Sequence, residues 1–225
     1  MDIISVVAQY WPLLLQGFEV TLLLAASGFV IGLAIGLPTS LVEVFGARPL
    51  RWLATGYVEV IRGTPMLVQL FIVYYALPQV GIRFDALTSA IIGMGLNSGA
   101  YQAEYFRGAI RSVPAGQMDA ALSVGMKKFQ AIIYVTLSQA LRLVIPAWTN
   151  EVVYLVQYSS VAFFVTVVEL TAAGELIAVR TFQFVEIFAI IGLIYLATTI
   201  TITRLSRRIE TKVEIPGMTS RRMRF

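Results

Sequence analysis

Cysteine and histidine are both absent from this 225-residue sequence, and charged residues make up only 13% of it. Without cysteine there are no disulfides and no thiolate chemistry, and the redox compartment is not legible. Without histidine there is no imidazole metal site, so carboxylates remain as the acid–base groups. A Walker-type phosphate loop is also missing, which excludes nucleotide hydrolysis by that route.

What is present in excess is apolar. Hydrophobic residues make up 58% of the chain and its mean hydropathy is +0.79, far outside the range of soluble domains. The pattern predicts an all-α integral membrane protein, a single unit over residues 1–225. There are 23 uncharged positions between Glu19 and Glu43, 20 between Arg62 and Arg83, and 18 between Asp85 and Glu104. Each is long enough to cross a bilayer as helix. A fourth crossing is expected from Leu143 to about Val161, broken by Glu151, and a fifth from Ile187 to Thr203. The β-branched run Val161 to Val168 follows the fourth with almost no polar connection and reads as a buried re-entrant segment. The first apolar run lacks a basic flank and a small-residue cleavage site, so it is expected to be retained rather than removed as a signal peptide. Glu19 has no obvious local partner and is given no role.

Lys and Arg counts orient these spans. With the amino terminus outside, 14 of the 17 basic residues fall on the inner side, in the connections at Arg48–Arg51 and Arg107–Arg142 and in a basic tail over about 204–225. Arg83 and Arg180 fall outside, and Arg62 lies in an apolar span. Amino terminus out and carboxyl terminus in is therefore expected, in a multi-pass protein of a prokaryotic cytoplasmic membrane. A net charge of +4 then reflects a basic fringe near anionic lipid, with no nucleic acid implied.

One inner connection, about residues 112–130, has more order than a solvated loop. Pro114 is placed to begin a short helix and Gly125 to end it. Met118, Ala121 and Leu122 share one face with Ala120 as a small neighbour, which implies a partner surface. The stretch "DAALSVGMKKFQAIIYVTLSQALRLVIP" resembles the cytoplasmic EAA loop of ABC importer permeases. Asp119, Ala120, Ala121 and Gly125 fall in register, with Asp119 in place of the usual glutamate and Ser138 where proline is usual. The stretches Tyr57 to Pro78, Leu96 to Ile110 and Ala140 to Glu151 extend the likeness. Together they resemble the polar amino acid permeases of histidine, arginine and glutamine uptake systems.

That resemblance implies a division of labour. Two permease subunits, identical or homologous, would enclose a path for the amino acid. Two cytoplasmic ATPase subunits would hold ATP and Mg, leaving this chain without a cofactor and without enzyme activity alone. An extracytoplasmic binding protein would deliver the substrate. The EAA loop would form a coupling helix, with Met118, Asp119, Ala120, Ala121, Leu122 and Gly125 docking on the ATPase. Dimerisation is expected independently, since five helices are too few to line a solute path and shield it from lipid.

Four polar positions inside the apolar spans are substrate candidates. Arg62 follows Glu59 at helical pairing distance, and Gly63-Thr64-Pro65 breaks the helix just beyond, which makes Thr64 the second. Asn97 is the third, in a span where Ser98 and Gly99 suit close packing. Glu151 is the fourth: either it is protonated, or it meets Arg62 across the interior, or it receives a cation from substrate. Glu104, three residues before Arg107, reads as a structural pair. Cationic amino acids are therefore the favoured cargo, with glutamate, glutamine or another small polar solute as alternatives. An ion-gradient-driven carrier or channel using Glu151 for protons is a reading from another class, but it has no need of the Asp119–Gly125 loop. A pathless assembly subunit is a third, opposed by the Gly-Thr-Pro break and Glu151.

Overall fold

The computed structural model describes residues 3–213, and within these the chain is all helix, with no strand. α1 spans Ile3–Phe45, α2 Arg48–Arg62 and α3 Met66–Phe71, the last extended to Val80 by a π-helical and a 3-10 turn. α4 covers Ala86–Ser112 and α5 Ala115–Ser123. The short α6 (Lys128–Gln130), a π-helical stretch over Ala131–Leu137 and α7 (Ser138–Leu143) lead into α8, Ile145–Tyr158. A 3-10 segment, Ser159–Val165, precedes α9 (Leu170–Thr181) and α10 (Phe184–Val213).

α4 is the hub, packing on α1, α2, α3, α7 and α8. Its buried residues are mostly small, among them Ala90, Gly93, Ser98, Gly99, Ala100 and Ala103. α1 answers with Gly28, Gly32 and Gly36, one every four residues on one face, all buried. A Cβ on Gly32 would stand 2.7 Å from Gln102 Nε2, and one on Gly36 2.8 Å from Gly99 O, so both glycines are needed for this approach. Helices in lipid gain from such close backbone packing because no hydrophobic force drives them together. One apolar cluster joins Leu24, Leu70, Met94, Leu155 and Val165 across five elements; a second joins Val6, Leu14, Leu170, Ile177 and Ile187. A third surrounds Phe106, which meets Trp148 edge to face at 5.4 Å.

Five crossings were expected, and the described residues divide the helices differently. Only α1 and α10 are long and apolar enough to span a bilayer by themselves, and there are up to four such spans if two bent helix pairs each count as one. α4 does not meet that criterion, although its 27 residues reach ~40 Å at 1.5 Å each. Its buried Ser89, Gly93, Gly95, Ser98, Gly99 and Gln102 face neighbouring helices rather than lipid, which lowers its hydropathy without exposing them. The expected second span, between Arg62 and Arg83, holds α3 to Val80, and α2 joins it through a 104° bend at Gly63-Thr64-Pro65. Its fourth counterpart starts earlier than Leu143, running from Lys128 with a 53° bend just before Pro146.

The run Val161 to Val168 is 3-10 helical as far as Val165 and non-helical beyond it. The 3-10 segment closes on Thr166 in the left-handed region (φ 68°), with Ala162, Val165 and Val167 buried. α9, which follows, was not anticipated. α10 begins near the expected Ile187 but continues through Arg204, Arg207 and Arg208 to Val213. Asp2 and the tail residues Arg221, Arg222 and Arg224 lie outside the described residues.

Candidate functional site

The break after Arg62 gathers most of the candidates. Helix α2 ends with Gly63 N donating to Glu59 O at 2.8 Å, and Pro65 has no N–H to continue. Carbonyls of the last turn are therefore left without helical donors. Gln69 supplies one: its Nε2 donates to Ile61 O at 2.7 Å and to Thr64 O and Oγ1 at 3.0 Å. Its Oε1 accepts from Asn97 Nδ2 at 3.0 Å. Thr64 and Asn97, far apart in sequence, thus meet through one buried amide, while Thr64 itself is exposed. Tyr57 steadies the same corner by donating to Leu96 O at 2.6 Å.

Arg62 does not pair with Glu59. Its Nη1 lies 3.1 Å from Glu104 Oε2, and its guanidinium sits over the Tyr101 ring at 5.3 Å. Glu104 also accepts from Arg107 Nε at 2.6 Å, so the expected structural pair exists with a second cation attached. Arg107 in turn lies 4.0 Å from Glu43 of α1, whose Oε1 accepts from Thr55 at 3.1 Å. Three helices are fastened there by two acids and two bases.

Glu151 stands apart from that network. It is 4% exposed and accepts from Ser98 Oγ at 2.6 Å. Among the described residues no lysine or arginine comes within ion-pair distance of it, so the pairing with Arg62 is not formed. Ser98 itself accepts from Gln102 Nε2 at 3.1 Å, and Gln102 Nε2 also reaches Phe29 O. A buried carboxylate held only by neutral donors is costly and uncommon in a membrane helix. Beside it, α8 turns Asn150, Tyr154, Gln157 and Tyr158 outward, with the Tyr154 and Tyr158 rings stacked at 5.9 Å. This spacing of four, seven and eight residues marks one helical face, polar and aromatic.

The short helix after Pro114 is where the sequence places it. Pro114 precedes α5, and Gly125 closes it in the left-handed region (φ 86°), with Gly125 N to Leu122 O at 3.0 Å and Met126 N to Ala121 O at 3.1 Å. Asp119, Ala120 and Leu122 are exposed and Met118 half-buried. Ala121 is buried within the chain, α5 resting on the 131–137 stretch, so it is not free to join a partner face. Exposed Val124 and Phe129, not singled out by the sequence, extend the apolar surface instead.

Sequence reasoning also missed Gln69 and Glu169. Gln69 is the one strongly polar residue between Pro65 and Pro78, a signal that was available. Glu169 is fully buried at the start of α9, accepting from Thr171 N at 2.9 Å, Ala172 N at 2.8 Å and Tyr195 Oη at 2.8 Å. Among the described residues no group of acidic side chains could hold a metal ion.

Comparison with known proteins agrees on one family. Residues 28–215 match the model of the binding-protein-dependent transport system inner membrane component. The chain is 35% identical over 206 residues to the glutamine transport system permease protein GlnP of Escherichia coli, covering 91% of this chain and 94% of that one. It is 36% identical over 215 residues to the nopaline transport system permease protein NocM of Agrobacterium fabrum, with coverage of 91% and 89%. A crystal structure of an amino acid ABC transporter with histidines superposes with a TM-score of 0.87 at 34% identity, over 94% of this chain and 99% of that one. A chain of the MetNI methionine ABC transporter superposes at 0.78 with 22% identity, a likeness of fold alone. The bent helices, the short helix closed by Gly125 and these matches make the chain a member of the binding-protein-dependent transport system inner membrane components, among the amino-acid ABC transporter permeases.

Proposed function

We propose that this chain, as one transmembrane domain over residues 1–225, forms half of the membrane path of an ATP-driven importer of polar amino acids. The observation that carries this is the outward polar face of α8, Asn150, Tyr154, Gln157 and Tyr158, together with exposed Arg62 and Thr64. Lipid does not solvate such a surface, so it belongs against a water-filled path closed by a second permease subunit. Five crossings close the topology with the amino terminus out and the carboxyl terminus in: α1, α2–α3, α4, the bent run from Lys128 through α9, and α10. The prokaryotic plasma membrane is its setting.

The exposed residues Asp119, Ala120 and Leu122, with Met118, form the surface that docks on an ATPase, and Gly125 fixes the end of that helix. ATP and Mg are held by the ATPase, and an extracytoplasmic binding protein delivers the cargo. Cationic amino acids are favoured through Glu151. Its carboxylate has only neutral donors in this conformation, and it shares a helix with the stacked Tyr154–Tyr158 pair, whose ring faces suit a cation.

The test is ATP-dependent uptake by the reconstituted complex, with arginine, lysine, histidine, glutamine and glutamate compared side by side. Glu151→Gln keeps an acceptor for Ser98 and should lower affinity for arginine and lysine by about ten- to hundredfold while sparing glutamine. An equal fractional loss for all five would remove Glu151 from selectivity and leave it a fastening between α4 and α8.

A further inference from the structure

The two bases of the charge cluster are not equivalent. Arg107 engages Glu104 through two nitrogens and leans toward Glu43, with 29% of its side chain exposed. Arg62 touches Glu104 through Nη1, shares that oxygen with Arg107, and is 41% exposed. Removing Arg62 leaves Glu104 neutralised; removing Arg107 does not leave its second acid so. Arg62 is the spare cation of the cluster.

Its position gives the spare charge a use. Arg62 is the last residue of α2, next to the Gly63-Thr64-Pro65 break and the Thr64–Gln69–Asn97 network. The Tyr101 ring covers one face of the guanidinium and so orients its N–H edge. Glutamine, nopaline and histidine, named in the similar proteins, differ in side chain, but each carries an α-carboxylate. A planar fork of donors is the geometry that takes a carboxylate.

We propose that Arg62 binds the α-carboxylate of the amino acid in transit and that Glu104 is its placeholder, occupying the guanidinium until substrate displaces it. This rests on the reading of the chain as an amino acid path, and it assigns recognition of the common group to Arg62 and of the side chain to the α8 region.

The experiment uses the purified permease–ATPase complex without binding protein, so that the latter's own selectivity does not enter. Equilibrium binding of L-arginine and L-glutamine is compared with that of L-argininamide and L-glutaminamide. The parent complex should prefer the acids by about ten- to hundredfold, and Arg62→Gln should abolish that preference while leaving amide binding unchanged. Glu104→Gln, which leaves Arg62 in place, should tighten acid binding by about two- to fivefold by removing a partly screened competitor. Acid preference surviving in Arg62→Gln, or Glu104→Gln weakening acids and amides alike, would overturn the proposal. Uptake by the complete parent system is measured alongside. No amino acid uptake at all would bring down the path reading and this inference with it, whereas uptake with an unchanged preference in Arg62→Gln brings down this inference alone.

Discussion

Two of the helix breaks among apolar residues, at Gly63-Thr64-Pro65 and at Thr166–Glu169, are treated differently. Each frees backbone groups that must find partners away from water. At Glu169 the solution is a fully buried carboxylate that takes two backbone N–H groups of α9 and the Tyr195 hydroxyl, with Thr21 close by at 3.5 Å. Nothing there is left to offer a ligand. At Thr64 the solution is a neutral amide, Gln69, which leaves Thr64, Gly63 and Arg62 exposed. The sealed break serves the fold, and the open one is the break we propose as part of the substrate path.

The comparison is broken most decisively at Glu169. Glu169→Ala strands two backbone donors and two hydroxyls in the interior, and should destabilise the chain by at least about 3 kcal/mol. Thermal unfolding in detergent reads this directly, and Glu169→Gln should recover more than half of the loss. A Glu169→Ala protein that unfolds normally but transports poorly would reverse the assignment.

Gln69→Leu should cost less, about 1–2 kcal/mol, because the carbonyls it releases reach the exposed surface at Thr64 while only Asn97 loses a partner. Uptake should fall more than stability does. Equal effects in both assays would make this break structural too.

Thr166 sharpens the sealed side. A β-branched residue at φ 68° carries strain of ~1–2 kcal/mol, which Thr166→Gly relieves at an entropic cost of ~0.5–1, so stability should rise by about 0.5 kcal/mol. A clear loss would show that the 3.3 Å contact between Thr166 and Tyr74 hydroxyls outweighs the strain.

The smallest effect belongs to an ordinary helix start, where no break has to be bridged. Asp85 caps α4 through Thr88 N at 2.9 Å and Thr88 Oγ1 at 2.6 Å, and these bonds hold its carboxyl below the usual carboxylate range. Its folded-state value being depressed, the cap contributes above the unfolded value and is lost as pH falls through the folded one. Asp85→Asn should flatten only that acidic limb of a stability–pH curve.

Much of the helix content was legible because long uncharged runs have few other outcomes in a membrane. The Pro114–Gly125 helix was legible for a local reason, since a proline start and a left-handed glycine stop act within a turn of themselves. The pairing of Arg62 was not. Glu59 was the nearest acid by number, yet the 104° bend carries Arg62 onto α4 and to Glu104. Ala121 was misplaced by the same kind of gap, because the face of a short helix does not say whether its own chain already covers it.

The sequence by itself determined the apolar class, the existence of a break at Gly-Thr-Pro and the capped Pro114–Gly125 helix, all of which follow from composition or from steric rules acting over a few residues. Tertiary structure alone decided that Thr64 meets Asn97 through Gln69, that Glu151 is held by Ser98, and that Glu169 is sealed while Thr64 is open. Those outcomes depend on how closely α1 and α4 approach through Gly32 and Gly36 and on the angle between α2 and α3. Distances across a bundle are set by all of its packed faces at once, and no local pattern encodes them.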